Sequence, residues 1–144
     1  MNYSELIQLY FERSNALQSY WTLYVVIIGG LLAFSSLSKL PSLLTTSLVT
    51  ILFCIFAYKN LDAIRDTTSQ RVATLQLIKQ SEAPVSDPQS LKRVREVLEP
   101  TLVPATDQSV RTTHISSDIL TVAALWSMEL RRRKYAAKNP DFAL

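Results

Sequence analysis

The feature that most constrains this chain is a stretch of 45 residues, Ser14 to Tyr58, in which Lys39 is the only charged side chain. Its two halves, Trp21 to Leu37 (WTLYVVIIGGLLAFSSL) and Ser42 to Tyr58 (SLLTTSLVTILFCIFAY), are uncharged runs of 17 residues each. At ~1.5 Å per residue, such a run is at the lower end of what crosses the hydrocarbon core of a bilayer. Ser19, Tyr20 and Ser38 extend the first run, and Leu40 and Pro41 extend the second. Two consecutive runs of this kind are better explained as membrane spans than as buried helices of a soluble protein. The remaining 99 residues carry 26 of the 27 charges, an ordinary soluble composition, so the overall 19% charged fraction averages two different materials.

A cleaved signal peptide fits the first run poorly. About twenty residues, with Glu5, Glu12 and Arg13, precede it, and no clear small-x-small site follows it, so the run is expected to stay in the mature protein.

Both glycines are at 29 and 30, and prolines occur only at 41, 84, 88, 100, 104 and 140. Long stretches without helix breakers predict an all-α protein. Before the first run, Tyr3, Leu6, Ile7, Tyr10, Ser14, Leu17 and Trp21 share one helical face. After the second, Leu61, Ile64, Thr68, Val72, Leu75 and Ile78 do the same. The expected architecture is an integral membrane helical hairpin. Residues 1–80 form two long helices, about Asn2 to Leu37 and Ser42 to Lys79, with spans at about 20–38 and 41–58. They reverse at Ser38 to Pro41, with Pro41 in the first turn of the second helix. The two soluble arms match in length, so their apolar stripes should pack together as a stalk; the alternative lays the N-terminal stripe on the membrane surface.

Residues 81–144 form a C-terminal helical region. SEAPVSDPQ reads as a linker, with Asp87 as N-cap and Pro88 in the first turn of a short helix that buries Leu91, Val94 and Leu98. PTLVP ends that helix, and Thr106 opens the last one. Within it, 115–130 (ISSDILTVAALWSMEL) is either an amphipathic interfacial helix or a third span. As a soluble or interfacial amphipathic helix it has a defined apolar face of Ile115, Ile119, Val122, Ala123, Trp126 and Leu130. As a span it must accommodate Asp118 and Glu129 near its ends. Two spans place 14 of the 15 Lys/Arg on one side, whereas three spans divide them almost evenly. The positive-inside rule therefore favours two spans, with both termini cytoplasmic in a plasma or inner membrane.

Chemistry-bearing motifs are scarce. Cys54 is the only cysteine and His114 the only histidine, so no Cys/His zinc site can be assembled within one chain. Nothing around TTHISSD resembles a nucleophile elbow. No enzyme activity and no cofactor is expected. Ser42, Thr46, Thr50, Cys54 and Tyr58 recur every four residues, a stripe suited to close helix packing or to lining a pore. Gly29, Gly30 and Ala33 form a small-residue surface on the first span. Tyr20, Trp21, Tyr24, Tyr58 and Lys59 read as an interfacial belt. Lys92, Arg93, Arg95, Arg111, Arg131, Arg132, Arg133 and Lys134 are candidates for binding anionic lipid headgroups or a phosphorylated small ligand. Nucleic acid is not expected, for want of interleaved aromatics or a recognisable module.

These features point first to a small non-enzymatic membrane protein that self-associates through its spans and presents a basic cytoplasmic region. One alternative is an oligomeric gated pore or membrane-perturbing effector, as in prokaryotic defence, triggered by a phosphorylated or cyclic-nucleotide ligand. Another is an accessory or anchoring subunit of a larger membrane complex.

Overall fold

The computed structural model of the chain describes residues 2–81, 92–93 and 96–139. Among these the regular structure is entirely helical. α1 spans Tyr3–Leu37, α2 Leu43–Gln80 and α3 Asp107–Lys138, with a short 3₁₀ turn at Glu99–Thr101.

Each helix begins where local chemistry supplies an acceptor for its first free N–H groups. Asn2 and Glu5 form a reciprocal capping box, with the Glu5 N–H donating to the Asn2 side chain at 2.8 Å. Ser42 caps α2 and Thr106 caps α3 through their hydroxyls, as the sequence predicts for Thr106. Pro41, expected in the first turn of α2, precedes the Ser42 cap and so lies just outside that turn. The predicted Asp87 cap, Pro88, Leu91 and Val94 lie outside the described residues.

One row of buried and half-buried positions on α2 runs through Thr46, Thr50, Phe53, Ala57, Asn60, Ile64, Thr67, Arg71, Thr74 and Ile78 in alternating steps of four and three, with Thr68 and Leu75 buried beside it. On α1 the same alternation carries Tyr3, Tyr10, Leu17, Tyr24 and Leu31, with Ile7, Ser14, Trp21, Ile28 and Ser35 between them. This is the 3.5-residue spacing of helices that pack side by side over their whole length. Tyr3, Leu6 and Tyr10 meet Leu75 and Ile78 in one apolar cluster, and Leu17 meets Ile64 and Val110 in a second. The start of α1 therefore packs against the end of α2, the mutual packing expected of a stalk. Leu102, from the PTLVP segment, is buried in the first cluster, and Leu98 packs against it.

α1 and α2 are both long and apolar enough to cross a membrane. Of the most apolar 18-residue window in each, only 11% and 22% is buried. A core helix of a soluble protein would be mostly covered. Here Val25, Leu37, Leu44 and Leu52 all remain exposed.

α3 lies along both of the other helices. Its buried residues are Val110, His114, Thr121, Leu125 and Glu129. The apolar face is not the one buried against the other helices: Ile115, Ile119, Ala123 and Leu130 are exposed, while Val122 and Trp126 are half-buried. The physical reason is that His114, Asp118 and Glu129 find partners on α1 and α2, which the apolar side chains do not need.

Candidate functional site

Two buried polar clusters fasten α3 to the other helices. The first is built around His114, which is fully buried. On α3 the i, i+4 spacing sets its Nδ1 2.9 Å from Asp118 Oδ2. From α1, the Tyr24 hydroxyl donates to Asp118 Oδ1 at 2.7 Å and lies 3.2 Å from the His114 carbonyl. From α2, Asn60 Nδ2 lies 3.2 Å from His114 Nε2. An amide nitrogen only donates, so in this arrangement Nε2 accepts and Nδ1 carries the proton toward Asp118. The Tyr24 ring covers the imidazole at a centroid separation of 4.1 Å, and Trp21 sits 5.8 Å away. Every helix thus contributes to one network.

The second cluster lies at the other end, beside the connection between α1 and α2. Glu129 is fully buried. Its Oε2 accepts from Arg132 Nη2 at 3.0 Å, Thr46 Oγ1 at 3.2 Å and the Ser42 N–H at 3.3 Å, and its Oε1 accepts from Arg133 Nε at 2.9 Å. Arg132 Nη1 donates to the Ser35 carbonyl and, at 3.4 Å, to that of Ser38. One ion pair therefore places an anion at the N-terminus of α2 and a cation at the C-terminus of α1, where each complements the helix dipole and free backbone groups.

Asp118 and Glu129 are separated by ~16 Å along α3, and His114 and Arg132 by ~27 Å. Between the clusters the inward positions are Thr121 and Leu125. The Thr121 hydroxyl is satisfied within its own helix by the Ser117 carbonyl at 2.8 Å.

The residues singled out in the sequence are distributed differently. Gly29, Gly30 and Ala33 are exposed, and a Cβ built on either glycine meets nothing within 4 Å. The hydroxyl stripe divides: Thr46 is buried against Glu129, Thr50 is half-buried, and Ser42, Cys54 and Tyr58 are exposed. A four-residue spacing advances about 40° per step on a 3.6-residue helix, so five such positions turn through roughly 160°. They cannot line one face. Among the belt residues Tyr58 and Lys59 stay outside, but Tyr24 and Trp21 turn inward onto His114.

The basic residues are not gathered into one anion site. Arg111 and Arg131 lie on the same straight run of α3, ~30 Å apart. Lys92 and Arg93 are exposed, and Arg95 lies outside the described residues. Arg132 and Arg133 are engaged by Glu129. Arg131 and Lys134 remain exposed.

Sequence reasoning gave Asn60 no role, and treated Asp118 and Glu129 only as costs to a span. The available signal was the isolation of those two carboxylates in an apolar segment, together with His114 four residues before Asp118. No protein-family model, curated protein or solved structure matches the chain, and its site is read from its own geometry.

Proposed function

We propose that this chain is an integral membrane protein of three spans that acts by assembly, self-associating through the outer surfaces of its helices rather than performing catalysis. The observation that carries this reading is the reversed polarity of α3. Its His114, Asp118, Thr121 and Glu129 are turned toward α1 and α2, while Ile119 and Leu120 are 64% and 70% exposed. Water would favour the opposite arrangement; lipid favours this one, because polar groups in hydrocarbon must find partners inside the bundle.

Self-association is supported by the outward surface of Gly29, Gly30 and Ala33, which no described residue of the chain covers. Small residues let a second helix approach closely where lipid supplies no hydrophobic drive. The polar groups of each cluster, Arg132 Nε apart, are by contrast engaged within it, which suits a holding role. This topology departs from the two spans that the distribution of Lys and Arg favours, and adds α3 to the two helices long and apolar enough to cross. In it Arg131 to Lys134 share a side with Lys39, and the N-terminus lies on the other side.

Reporter fusions near residue 85 and at the carboxyl terminus test the reading. Opposite sides of the membrane are expected. Reporters on the same side would eliminate the third span, and release of the protein by alkaline carbonate would eliminate membrane insertion altogether.

A further inference from the structure

Charge differs between the two ends of the bundle. At the arm end acidic and basic side chains are interspersed: Glu5, Glu12, Asp62 and Asp66 share it with Arg13 and Lys59, and Arg65 pairs with Asp107. At the turn end the basic residues are Lys39 and those from Arg131 to Lys138, and the one described carboxylate is Glu129. Glu129 is buried and bound by Arg132 and Arg133. Lys39, Arg131, Lys134 and Lys138 are exposed, and none is in an ion pair with a described residue.

Three of them lie along the last turns of α3 and the fourth in the connection between α1 and α2. α3 continues for about 9 Å beyond Arg132, its point of attachment to α1. Arg131, Lys134 and Lys138 fall on one face of this extension at i, i+3 and i+7. Lys39 is flanked by Leu37 and Leu40, which are 79% and 66% exposed, an apolar tip with a charge that can reach outward. Beside it a cavity of about 230 Å³ has Phe34, Leu40 and Val49 among its walls, together with the hydroxyls of Ser38 and Thr45.

We propose that this turn face binds the headgroups of anionic phospholipids through Lys39, Arg131, Lys134 and Lys138, with the cavity receiving the glycerol end of an acyl chain. The inference rests on the membrane reading above. Four separated cations bordering exposed leucines complement a plane of negative charge. A discrete soluble anion would need converging donors, and the guanidinium nearest the cavity, Arg132, is already committed to Glu129 and two carbonyls.

The two tryptophans allow a test within one protein, since Trp126 reports on the turn half and Trp21 on the arm half. The full chain, as W21F and W126F variants, is reconstituted in phosphatidylcholine vesicles containing brominated phosphatidylglycerol or brominated phosphatidylcholine, and tryptophan quenching is measured. Trp126 is expected to be quenched preferentially by brominated phosphatidylglycerol, and Trp21 to show no such preference. At low ionic strength the preference should fall about fivefold for each charge removed in K39Q, R131Q, K134Q and K138Q. Equal quenching by the two lipids would overturn the proposal and leave the membrane reading intact; no quenching by either would overturn both. A preference that survives the quadruple substitution would overturn the assignment to these side chains.

Discussion

The Tyr24 hydroxyl and the Asp118 carboxylate meet at 2.7 Å, although 94 residues separate them in the chain. Tyr24 is 2% exposed, and its ring also covers His114, so a single α1 side chain addresses both polar residues of the i, i+4 pair on α3. The contact gives a carboxylate in an apolar segment a donor from a second helix, and His114 brings in Asn60 from a third.

Tyr24→Phe keeps the ring and removes the donor. It is expected to destabilise the folded protein by about 1–2 kcal/mol, the scale of a buried bond to a charged group reduced by the partners available in a membrane. Equilibrium unfolding in mixed detergent micelles measures this. A cycle with Asp118→Asn should show positive coupling between the two sites. Strict additivity would mean that the pair does not act as a unit.

Glu129→Gln should be more costly, by about 3 kcal/mol or more, because it leaves Arg132 beside the α1 carbonyls without its buried counter-charge. The substitution also weakens the anionic partner of the Ser42 N–H at the start of α2. Removing both charges, as in Glu129→Leu with Arg132→Met, should recover much of the loss. A double variant less stable than Glu129→Gln would show that Arg132 stabilises chiefly through the Ser35 and Ser38 carbonyls.

Much of the helical framework was legible because its signals are local. Thr106 was identifiable as the start of the last helix, the reversal after Leu37 follows from Ser38 to Pro41, and the stripe from Tyr3 to Leu17 has helical spacing. The orientation of α3 was not legible. The face containing Ile119 carries no mark that distinguishes a neighbouring protein from lipid, so its apolar pattern alone leaves the helix interfacial or spanning. The site was hidden for a related reason: Tyr24, Asn60 and His114 lie on three helices, and no short motif encodes their convergence. Tyr24 was read as a belt residue because its position near the end of a span fits both roles.

The Arg65 and Asp107 pair, at 2.9 Å, provides a contrasting case because both side chains are about half exposed. The hydrogen bond from Arg65 to Asp107, followed by the charge of that carboxylate, holds the guanidinium above its ordinary range. A raised folded-state pKa contributes stability that is fully present below the unfolded value and is lost only as pH rises through the folded one. For a guanidinium this window lies beyond about pH 12, so titration of Arg65 should impose no stability change from about pH 6 to about pH 9. Arg65→Gln should leave thermal stability unchanged within error, since exposed pairs are screened by solvent. A clear loss in the denaturation midpoint would require Arg65 to have a role in docking α3.

Gly29 supports a prediction with opposite signs for folding and assembly. A Cβ there meets no atom of the other described elements within 4 Å, so Gly29→Leu is expected to fit within the protomer. It should raise the intrinsic stability of α1, by up to about 1 kcal/mol, because glycine is a poor helix former. On the outside, the added side chain prevents the close backbone approach that small residues allow. The variant should therefore unfold at the same or higher temperature while its self-association, followed by light scattering in mild detergent, weakens by at least tenfold. Gly30→Leu should behave alike, and Leu23→Ala, which changes an exposed residue two turns away, should leave association unchanged. If Gly29→Leu and Gly30→Leu both associate as the parent does, the small-residue surface is not the interface. If the parent is monomeric across the accessible concentration range, self-association through the spans is wrong.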